Sequence, residues 1–302
     1  MISTQVNNTI NTEHAGLVSE LGMDFSATME RVRKVAYKTP LVLNLNLSRK
    51  YASNVFLKRE DLQVVRSYKL RGAYNMMSRL PEEQLAKGVV CASAGNHAQG
   101  FAYSCKKLNA KGVIFMPVIT PKQKINQTRM FGDEWVEIRL VGDNFDECAI
   151  AAKAFTEQNN MTFIPPFEDK SIIEGQATVG LEILQDLSHI DYLFLPVGGG
   201  GLAAGVGLVF KNFSPSTKVI GIEPEGAPSM KEAFKHGHPV TLEHLDRFVD
   251  GAAVKRVGDL TYRICSQVLD DMDVVAEGKI CSTILKLYNE DAIVVEPAGA
   301  LS

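Results

Sequence analysis

The stretch DYLFLPVGGGGLAAG, residues 191–205, decides the fold class. Its first half is a short, apolar, β-rich run, and its second half carries the small and apolar residues of a buried helix. Between the two halves stand four consecutive glycines, Gly198, Gly199, Gly200 and Gly201. A strand that passes through a glycine-rich turn into a helix is typical of α/β proteins with parallel sheets.

Strands and helices alternate on both sides of this stretch. The pattern predicts strands at 88–93, 113–117, 135–142, 191–197 and 218–224, and helices at 96–108, 120–132, 144–160, 172–187, from about 202, and at 229–237. Strands separated by helices predict parallel sheets with helices on both faces. We expect two lobes: a smaller one at 88–163, inserted into a larger one made of 1–87 and 164–302, with Pro165 and Pro166 marking the boundary.

Composition excludes several classes of protein. The 302 residues are 45% hydrophobic and 22% charged, which is typical of globular proteins, and 32 Lys+Arg against 35 Asp+Glu leave a net charge of -3. The charge balance gives no support to a nucleic-acid partner, and no apolar run reaches the roughly 18 residues of a membrane span. Neither a secretory signal nor a C-x-x-C pair is present. We expect a cytoplasmic protein with five reduced cysteines and a small-molecule partner.

The four glycines favour an anion-binding turn. Their backbone N–H groups can face an anion at a helix N-terminus, where the helix dipole adds a fractional positive charge. A dinucleotide is one candidate, because Gly199, Gly201 and Ala204 fit G-x-G-x-x-A and Glu223 ends the next strand about 20 residues later. That fingerprint does not explain two other loops of the chain.

The first of these loops is SAGNHAQG, residues 93–100, which also lies between a predicted strand and a helix. Ser93, Gly95, Asn96 and His97 offer hydroxyl, backbone N–H, amide and imidazole groups, a set that suits a small carboxylate. We also expect Asn96 to cap the N-terminus of its helix.

The second is KREDLQVVRSYKLRGAYNMM, residues 58–77, with Lys69 between Tyr68 and Leu70. A lone lysine is most often a solvated surface residue. A lysine held among apolar groups loses its proton more readily and can form a Schiff base with an aldehyde cofactor.

Together these motifs resemble those of the fold-type II pyridoxal-phosphate enzymes, and most closely those of the biosynthetic L-threonine dehydratases. The resemblance runs from about Thr39 to the C-terminus through KTPL, KREDLQ, SYKLRGAYN, SAGNHAQG, IPPF, PVGGGGL, IGIEP, FVDGAAVKRVGD and EPAGAL. Serine racemase and catabolic threonine dehydratase share much of this pattern. The resemblance implies a two-lobed architecture like that of the tryptophan synthase β subunit.

The resemblance also implies pyridoxal 5'-phosphate as the cofactor and assigns residues to it. Lys69 is similar to the lysine that forms a Schiff base with the cofactor and takes the substrate Cα proton. Asn96 is similar to the asparagine that hydrogen-bonds the ring hydroxyl. Matching positions imply a phosphate site formed by Gly198, Gly199, Gly200, Gly201 and Leu202, and a substrate-carboxylate site formed by Ser93, Ala94, Gly95, Asn96 and His97.

The implied reaction converts L-threonine to 2-oxobutanoate and ammonia, the first step of isoleucine biosynthesis, with weaker action on L-serine. Ala94 stands where serine racemase has a serine that acts as a base on the opposite cofactor face, so elimination is favoured over racemisation. Racemase-like relatives bind a divalent ion through a glutamate and an aspartate six residues later. Here Ser229 follows Glu223 at that spacing, so we expect no metal site and interpret Glu223 as a cap of its strand.

The chain ends at EPAGALS, residues 296–302, where members of the family continue. The continuation holds a serine that binds the pyridine nitrogen and, in biosynthetic members, an isoleucine-binding regulatory domain. We therefore expect an exposed sheet edge and an incomplete cofactor pocket. Three hypotheses remain open: an active dehydratase, an impaired fragment that still binds the cofactor, and a nicotinamide oxidoreductase. The resemblance implies a homo-oligomer for the full-length parent.

Overall fold

The structure is a computed structural model that describes residues 12–302. Its helices are α1 (Thr12–Glu20), α2 (Phe25–Val32), α3 (Leu45–Tyr51), α4 (Lys69–Met77), α5 (Glu82–Lys87), α6 (Asn96–Leu108), α7 (Lys122–Gly132), α8 (Phe145–Gln158), α9 (Lys170–Asp186), α10 (Gly201–Phe213), α11 (Ser229–His236), α12 (Asp259–Val268) and α13 (Glu277–Asp291). Its strands are β1 (Leu41–Leu43), β2 (Phe56–Lys58), β3 (Val89–Ala92), β4 (Gly112–Met116), β5 (Val136–Leu140), β6 (Thr162–Phe163), β7 (Tyr192–Pro196), β8 (Lys218–Pro224) and β9 (Asp271–Val275).

The strands between residues 89 and 163 form one parallel sheet in the order β5-β4-β3-β6, and helices connect them in turn. Side chains alternate between its faces, as they must in a strand. Val89 and Cys91 pack in the cluster that includes α6, whereas Val90 and Ala92 pack in the cluster that includes α8. Both faces are covered, which explains why β3 is apolar at every position.

A second parallel sheet has the order β7-β8-β9. Val219 of β8 packs with α10 and α12 on one face, and Ile222 packs with α13 on the other. At the edge, Tyr192 and Phe194 of β7 are 62% and 52% exposed and stack at 6.3 Å between ring centroids. A separate antiparallel pair, β1-β2, precedes both sheets. The predicted α/β fold with parallel sheets and helices on both faces is confirmed.

Helix α9 packs against both α4 and α10 at unusually short range. A β-carbon at Gly175 of α9 would stand 2.6 Å from Gly72 Cα of α4, so these two backbones touch. Gly205 of α10 lies similarly against the Ile173 carbonyl of α9. This close helical packing places the first residue of α4, Lys69, in a rigid part of the molecule. Within residues 12–302 no helix combines the length and hydropathy needed to cross a membrane.

Two local predictions were wrong. The N-cap of α6 is Gly95 and makes no side-chain capping bond, while Asn96 is the first helical residue and directs its side chain elsewhere. Glu223 does not cap its own strand. Its carboxylate accepts backbone N–H bonds of 2.8 Å from Met230 and Lys231, so it caps the N-terminus of α11.

Candidate active site

Lys69 opens α4 and points out of the packed helical layer. Its Nζ donates to the Pro166 carbonyl at 3.5 Å and lies 5.2 Å from the Tyr68 ring centroid. A β-carbon at Gly100 of α6 would stand 2.8 Å from the Leu70 nitrogen, so any larger residue there would push α4 away. The amine therefore has a defined position, with a single carbonyl as its hydrogen-bond partner among the described residues.

A buried charge cluster holds the rest of α4 in place. Arg71 is fully buried and donates to both oxygens of Glu60 and both oxygens of Glu182, at 2.8–2.9 Å. Lys58 adds a 2.7 Å contact to Glu182, which balances two positive charges against two negative ones. Burial lowers the pKa of Arg71, but the facing carboxylates of Glu60 and Glu182 outweigh it and keep that pKa above its usual value. We call Lys58, Glu60, Arg71 and Glu182 the Arg71 cluster.

The SAGNHAQG loop connects β3 to α6. The Ser93 hydroxyl accepts the Gly95 N–H at 3.2 Å, which folds the loop into a tight turn. Residues 93–96 are half-buried, and a β-carbon at Gly95 would meet no atom of residues 12–302 within 4 Å. One side of the turn is thus open space, where its N–H groups could meet a small carboxylate.

The ring of His97 does not face that space. It is 3% exposed, and its Nε2 lies 3.0 Å from the Ile164 carbonyl. Burial lowers the pKa of His97, the Ile164 bond opposes this and the nearby charge of Lys69 adds to it, and the resulting pKa is about 4. The imidazole is therefore neutral at neutral pH and serves to pin α6 to residue 164.

The side chain of Asn96 donates from Nδ2 to Glu296 Oε1 at 2.6 Å. An amide nitrogen has two hydrogens, so the second stays available for a ligand. Sequence reasoning missed Glu296 as a site residue and noted it only as part of EPAGAL. The acidic residue in an otherwise small and apolar motif was the available signal.

Glu296 lies in a recess that solvent still reaches, although protein atoms surround most of its carboxylate. Partial loss of water raises the pKa of Glu296, and the carboxylate of Asp250 raises it further, whereas the Asn96 bond and the charges of Lys124 and Lys69 lower it. Lys124 of α7 forms an ion pair with Asp250 across this recess. Four ionisable groups that are distant in sequence thus lie around the same recess: Glu296, Asp250, Lys124 and Lys69.

The four glycines form the turn between β7 and α10. A β-carbon at Gly199 would overlap the Phe167 ring, and one at Gly200 would lie 2.7 Å from Met230 Cε and 3.1 Å from Thr261 Cβ. Gly200 also has a φ of 88°, in the left-handed region that favours glycine. We call Gly198, Gly199, Gly200 and Gly201 the glycine loop. Its neighbours leave no room for side chains.

Three helix N-termini lie close to this loop, and two of them are capped by carboxylates. Glu223 caps α11, and Glu168 accepts the N–H groups of Leu260 and Thr261 in α12 at 2.7 and 3.3 Å. No side chain among the described residues caps the N-terminus of α10. It can therefore bind an external anion such as a phosphate.

The same capping arrangement argues against a dinucleotide. In a dinucleotide site the acidic residue after the next strand bonds a ribose hydroxyl. Here Glu223 is fully buried, and its oxygens already accept the N–H groups of Met230 and Lys231. Burial raises the pKa of Glu223, and three hydrogen bonds from residues 229–231 oppose this only in part. The resulting pKa is about 7.

One segment, residues 164–168, joins the three predicted loops. Ile164 contacts His97, and the Pro166 carbonyl accepts from Lys69. The ring of Phe167 fills the space against Gly199, and its Cβ and backbone lie against Gly201. Lys69 and the glycine loop, which are about 130 residues apart in sequence, thus contact the same short segment. An amine, a free amide hydrogen and an uncapped helix N-terminus are a set that fits a phosphorylated aldehyde with a ring hydroxyl.

Comparison with known proteins agrees with this chemistry. The sequence model of the "Pyridoxal-phosphate dependent enzyme" family matches residues 32–302. The biosynthetic L-threonine dehydratase IlvA of Halalkalibacterium halodurans is 55% identical over 279 residues, covering 92% of this chain and 67% of that protein. The Bacillus subtilis enzyme of the same name is 54% identical, covering 90% of this chain and 65% of that protein. The chain spans about two thirds of the length of these relatives.

Solved structures give the same result. The processed form of threonine deaminase isoform 2 from Solanum lycopersicum superposes with a TM-score of 0.89 at 44% identity, over 94% of this chain and 82% of that one. Serine racemase from Dictyostelium discoideum superposes with a TM-score of 0.85 at 30% identity, over 93% of this chain and 89% of that one.

Proposed function

The chain belongs to the pyridoxal-phosphate dependent enzyme family, and we propose that it forms the catalytic part of an L-threonine dehydratase, a lyase that converts L-threonine to 2-oxobutanoate and ammonia. The observation that carries the proposal is the convergence of Lys69, the SAGNHAQG loop and the glycine loop on residues 164–168. The threonine dehydratases and the threonine deaminase described above support the choice of substrate.

The residues present fit the cofactor. Lys69 Nζ would hold its aldehyde carbon, the second hydrogen of Asn96 Nδ2 would bond its ring hydroxyl, and the N–H groups of the glycine loop and Leu202 would bind its phosphate. When bound, the cofactor supplies an electron sink for the negative charge that develops at the substrate Cα. The protein has to position the substrate and move its protons.

We propose that Lys69 removes the proton from the substrate Cα. A lysine whose one hydrogen-bond partner among residues 12–302 is a carbonyl oxygen at 3.5 Å can leave that partner and, as a neutral amine, accept a proton. The substrate carboxylate would lie on the open side of the turn at residues 93–97, where the N–H groups of Ala94, Asn96 and His97 would hold it, because the Ser93 N–H is donated to the Phe115 carbonyl and the Gly95 N–H to the Ser93 hydroxyl. With Cα and the carboxylate held, the hydroxyl on Cβ takes up a proton and leaves as water, and a water molecule then hydrolyses the enamine to 2-oxobutanoate and ammonia.

Ala94 favours this elimination over racemisation. Racemisation needs a second proton donor on the cofactor face opposite Lys69. The methyl group of Ala94 has no proton to give, so Cα is not reprotonated from that side. L-Serine, which lacks one methyl group, would be a weaker substrate, at a cost of about 1–3 kcal/mol in a pocket shaped for threonine.

Further assignments belong to the same proposal. Residues 88–163 would form a small lobe inserted into a large lobe made of 1–87 and 164–302, with the Lys124–Asp250 ion pair crossing between them. The reaction would serve isoleucine biosynthesis in the cytoplasm, and the full-length protein would be a homo-oligomer. No nucleic acid or membrane takes part.

The test is an assay of 2-oxobutanoate formed from L-threonine by the purified chain with added pyridoxal phosphate, compared with Lys69→Arg. Arginine keeps the charge but cannot condense with an aldehyde, so we expect product from the wild-type chain and none from the variant. Equal product from both chains would refute the role of Lys69. A wild-type chain that binds the cofactor but forms no product would support the alternative of a catalytically impaired fragment.

A further inference from the structure

The glycine loop can bind a phosphate only if its N–H groups point towards the ligand. In a planar trans peptide the carbonyl oxygen and the N–H of the next residue point in opposite directions. Whatever holds the Gly199 carbonyl therefore sets the direction of the Gly200 N–H. The Gly200 carbonyl sets that of Gly201 in the same way.

Helix α12 holds the Gly199 carbonyl and contacts the Gly200 carbonyl, which also accepts the Ala204 N–H of α10 at 2.8 Å. The Thr261 hydroxyl donates to the Gly199 oxygen at 2.7 Å, and its second possible acceptor, the Gly258 oxygen, is more distant at 3.2 Å. One turn later, Cys265 Sγ lies 3.6 Å from the Gly200 oxygen. Residues four apart lie on the same face of a helix, so Thr261 and Cys265 form a pair that faces the loop. Both are fully buried.

Glu168 in turn holds α12. The helix begins after Gly258, which has no side chain with which to cap it. The Glu168 carboxylate takes that role from a distant part of the chain, and a β-carbon at Gly258 would overlap it. The neighbouring residue Phe167 packs against the opposite side of the glycine loop. The glycine loop is thus held between Phe167 and α12, and Glu168, the residue after Phe167, caps α12.

From these contacts we propose that Thr261 is a positioning residue for the cofactor phosphate, assisted by Cys265 and by Glu168. Thr261 touches neither the cofactor nor the substrate. It holds the Gly199–Gly200 peptide so that the Gly200 N–H points away from α12 and into the phosphate site. This inference rests on the proposed function, because it assumes that the ligand of the glycine loop is the phosphate of pyridoxal phosphate.

The test uses two ligands that differ only in the phosphate, pyridoxal 5'-phosphate and pyridoxal. Each is titrated against the full chain, and binding is followed by the visible absorption that the aldehyde acquires on condensing with a lysine. Thr261→Val keeps the side-chain shape but has no hydroxyl. We expect it to lower the affinity for pyridoxal phosphate about fivefold, the value of one hydrogen bond, with little effect on pyridoxal. Thr261→Ser, which keeps the hydroxyl, should restore the phosphate preference.

Matched variants separate positioning from a loss of stability. Thr283→Val removes a hydroxyl whose partner, within the part of the chain that the structure describes, is the Lys279 carbonyl of its own helix, and it should change neither affinity. Cys265→Ala should lower the affinity for pyridoxal phosphate about twofold, because a thiol is a weak donor, and it tests the proposal should Thr261→Val not fold. Equal weakening of both ligands, or of neither, by the folded variants would overturn the inference. Failure of the wild-type chain to bind pyridoxal phosphate through Lys69 would instead refute the proposed function.

Discussion

Lys69 and Arg71 are two residues apart on one helix, yet their surroundings are opposite. Arg71 lies in a cluster in which every charge has a partner; Arg71 and Glu182 are buried, and the side chains of Lys58 and Glu60 are only 9% and 13% exposed. Lys69 faces a recess where its amine has one carbonyl partner and where Glu296, Lys124 and Asp250 are reached by solvent. Residues two apart on a helix do not share a face, so α4 can carry both arrangements.

The contrast distinguishes charged residues that stabilise the fold from charged residues that can react. A fully paired, buried charge cannot change its state without disrupting the fold, so the Arg71 cluster fixes α4 and does no chemistry. An amine with one weak partner can exchange it for a ligand. Lys69 is therefore suited to reaction because Arg71, two residues later, makes its helix rigid.

The largest effect on stability is expected from Arg71→Ala. It would leave Glu60 and Glu182 with only Lys58 to balance them, and removing one partner of a buried ion pair costs about 3–5 kcal/mol. Urea unfolding of the cofactor-free chain measures this loss. Arg33→Ala, which removes an exposed arginine with one 3.3 Å bond to Gln185, is the control and should change stability little. If Arg71→Ala lost as little free energy of unfolding as Arg33→Ala, the Arg71 cluster would not fix α4, and the contrast between Arg71 and Lys69 would be wrong.

A smaller effect, and one that depends on pH, is expected at Glu296. Its pKa is raised in the folded chain, so its ionisation opposes folding, and stability falls as pH rises from the ordinary glutamate pKa through the raised one. Glu296→Gln does not ionise and keeps an acceptor for Asn96. The free energy of unfolding of the wild type minus that of this variant should therefore fall with pH across this interval and be constant above it.

Urea unfolding at a series of pH values gives that difference directly. If the Glu296→Gln difference rose with pH, the carboxylate would be stabilised by its neighbours, and the recess would resemble the Arg71 cluster.

The smallest effect is expected from the exposed ion pair. Lys124 and Asp250 have side chains that are 37% and 45% exposed. Such pairs contribute less than about 1 kcal/mol, and salt screens them. A double-mutant cycle with Lys124→Ala and Asp250→Asn should give a coupling energy of this size that declines with added salt. A coupling energy that is large and independent of salt would mean that the recess is closed in solution.

Sequence reasoning worked where elements are long and apolar. The helix at 96–108 and the strand at 218–224 were predicted with the bounds that the structure has. The short elements β1, β2, α3 and α5 were not predicted, because three to seven residues do not establish a period. In the second half of the chain, α12, β9 and α13 were quoted only within motifs or not assigned.

The residues of the candidate site also divide into those that the sequence indicates and those that it does not. Lys69, Asn96 and the glycine loop stand out in sequence because their residue types are unusual where they occur. The residues that hold them in place do not. Thr261 and Arg71 are common residue types, and their importance follows from burial and from partners tens to more than a hundred residues away. No local pattern can show such contacts.

The central claim, that Lys69 is the residue that carries the cofactor, is tested most directly by visible absorption. The purified chain and Lys69→Ala are each mixed with pyridoxal phosphate, and excess cofactor is removed. We predict that the wild-type chain retains the absorption of lysine-bound cofactor and that the variant, folded to the same degree by circular dichroism, shows none. The same absorption in both chains would mean that another lysine binds the cofactor and would contradict the account.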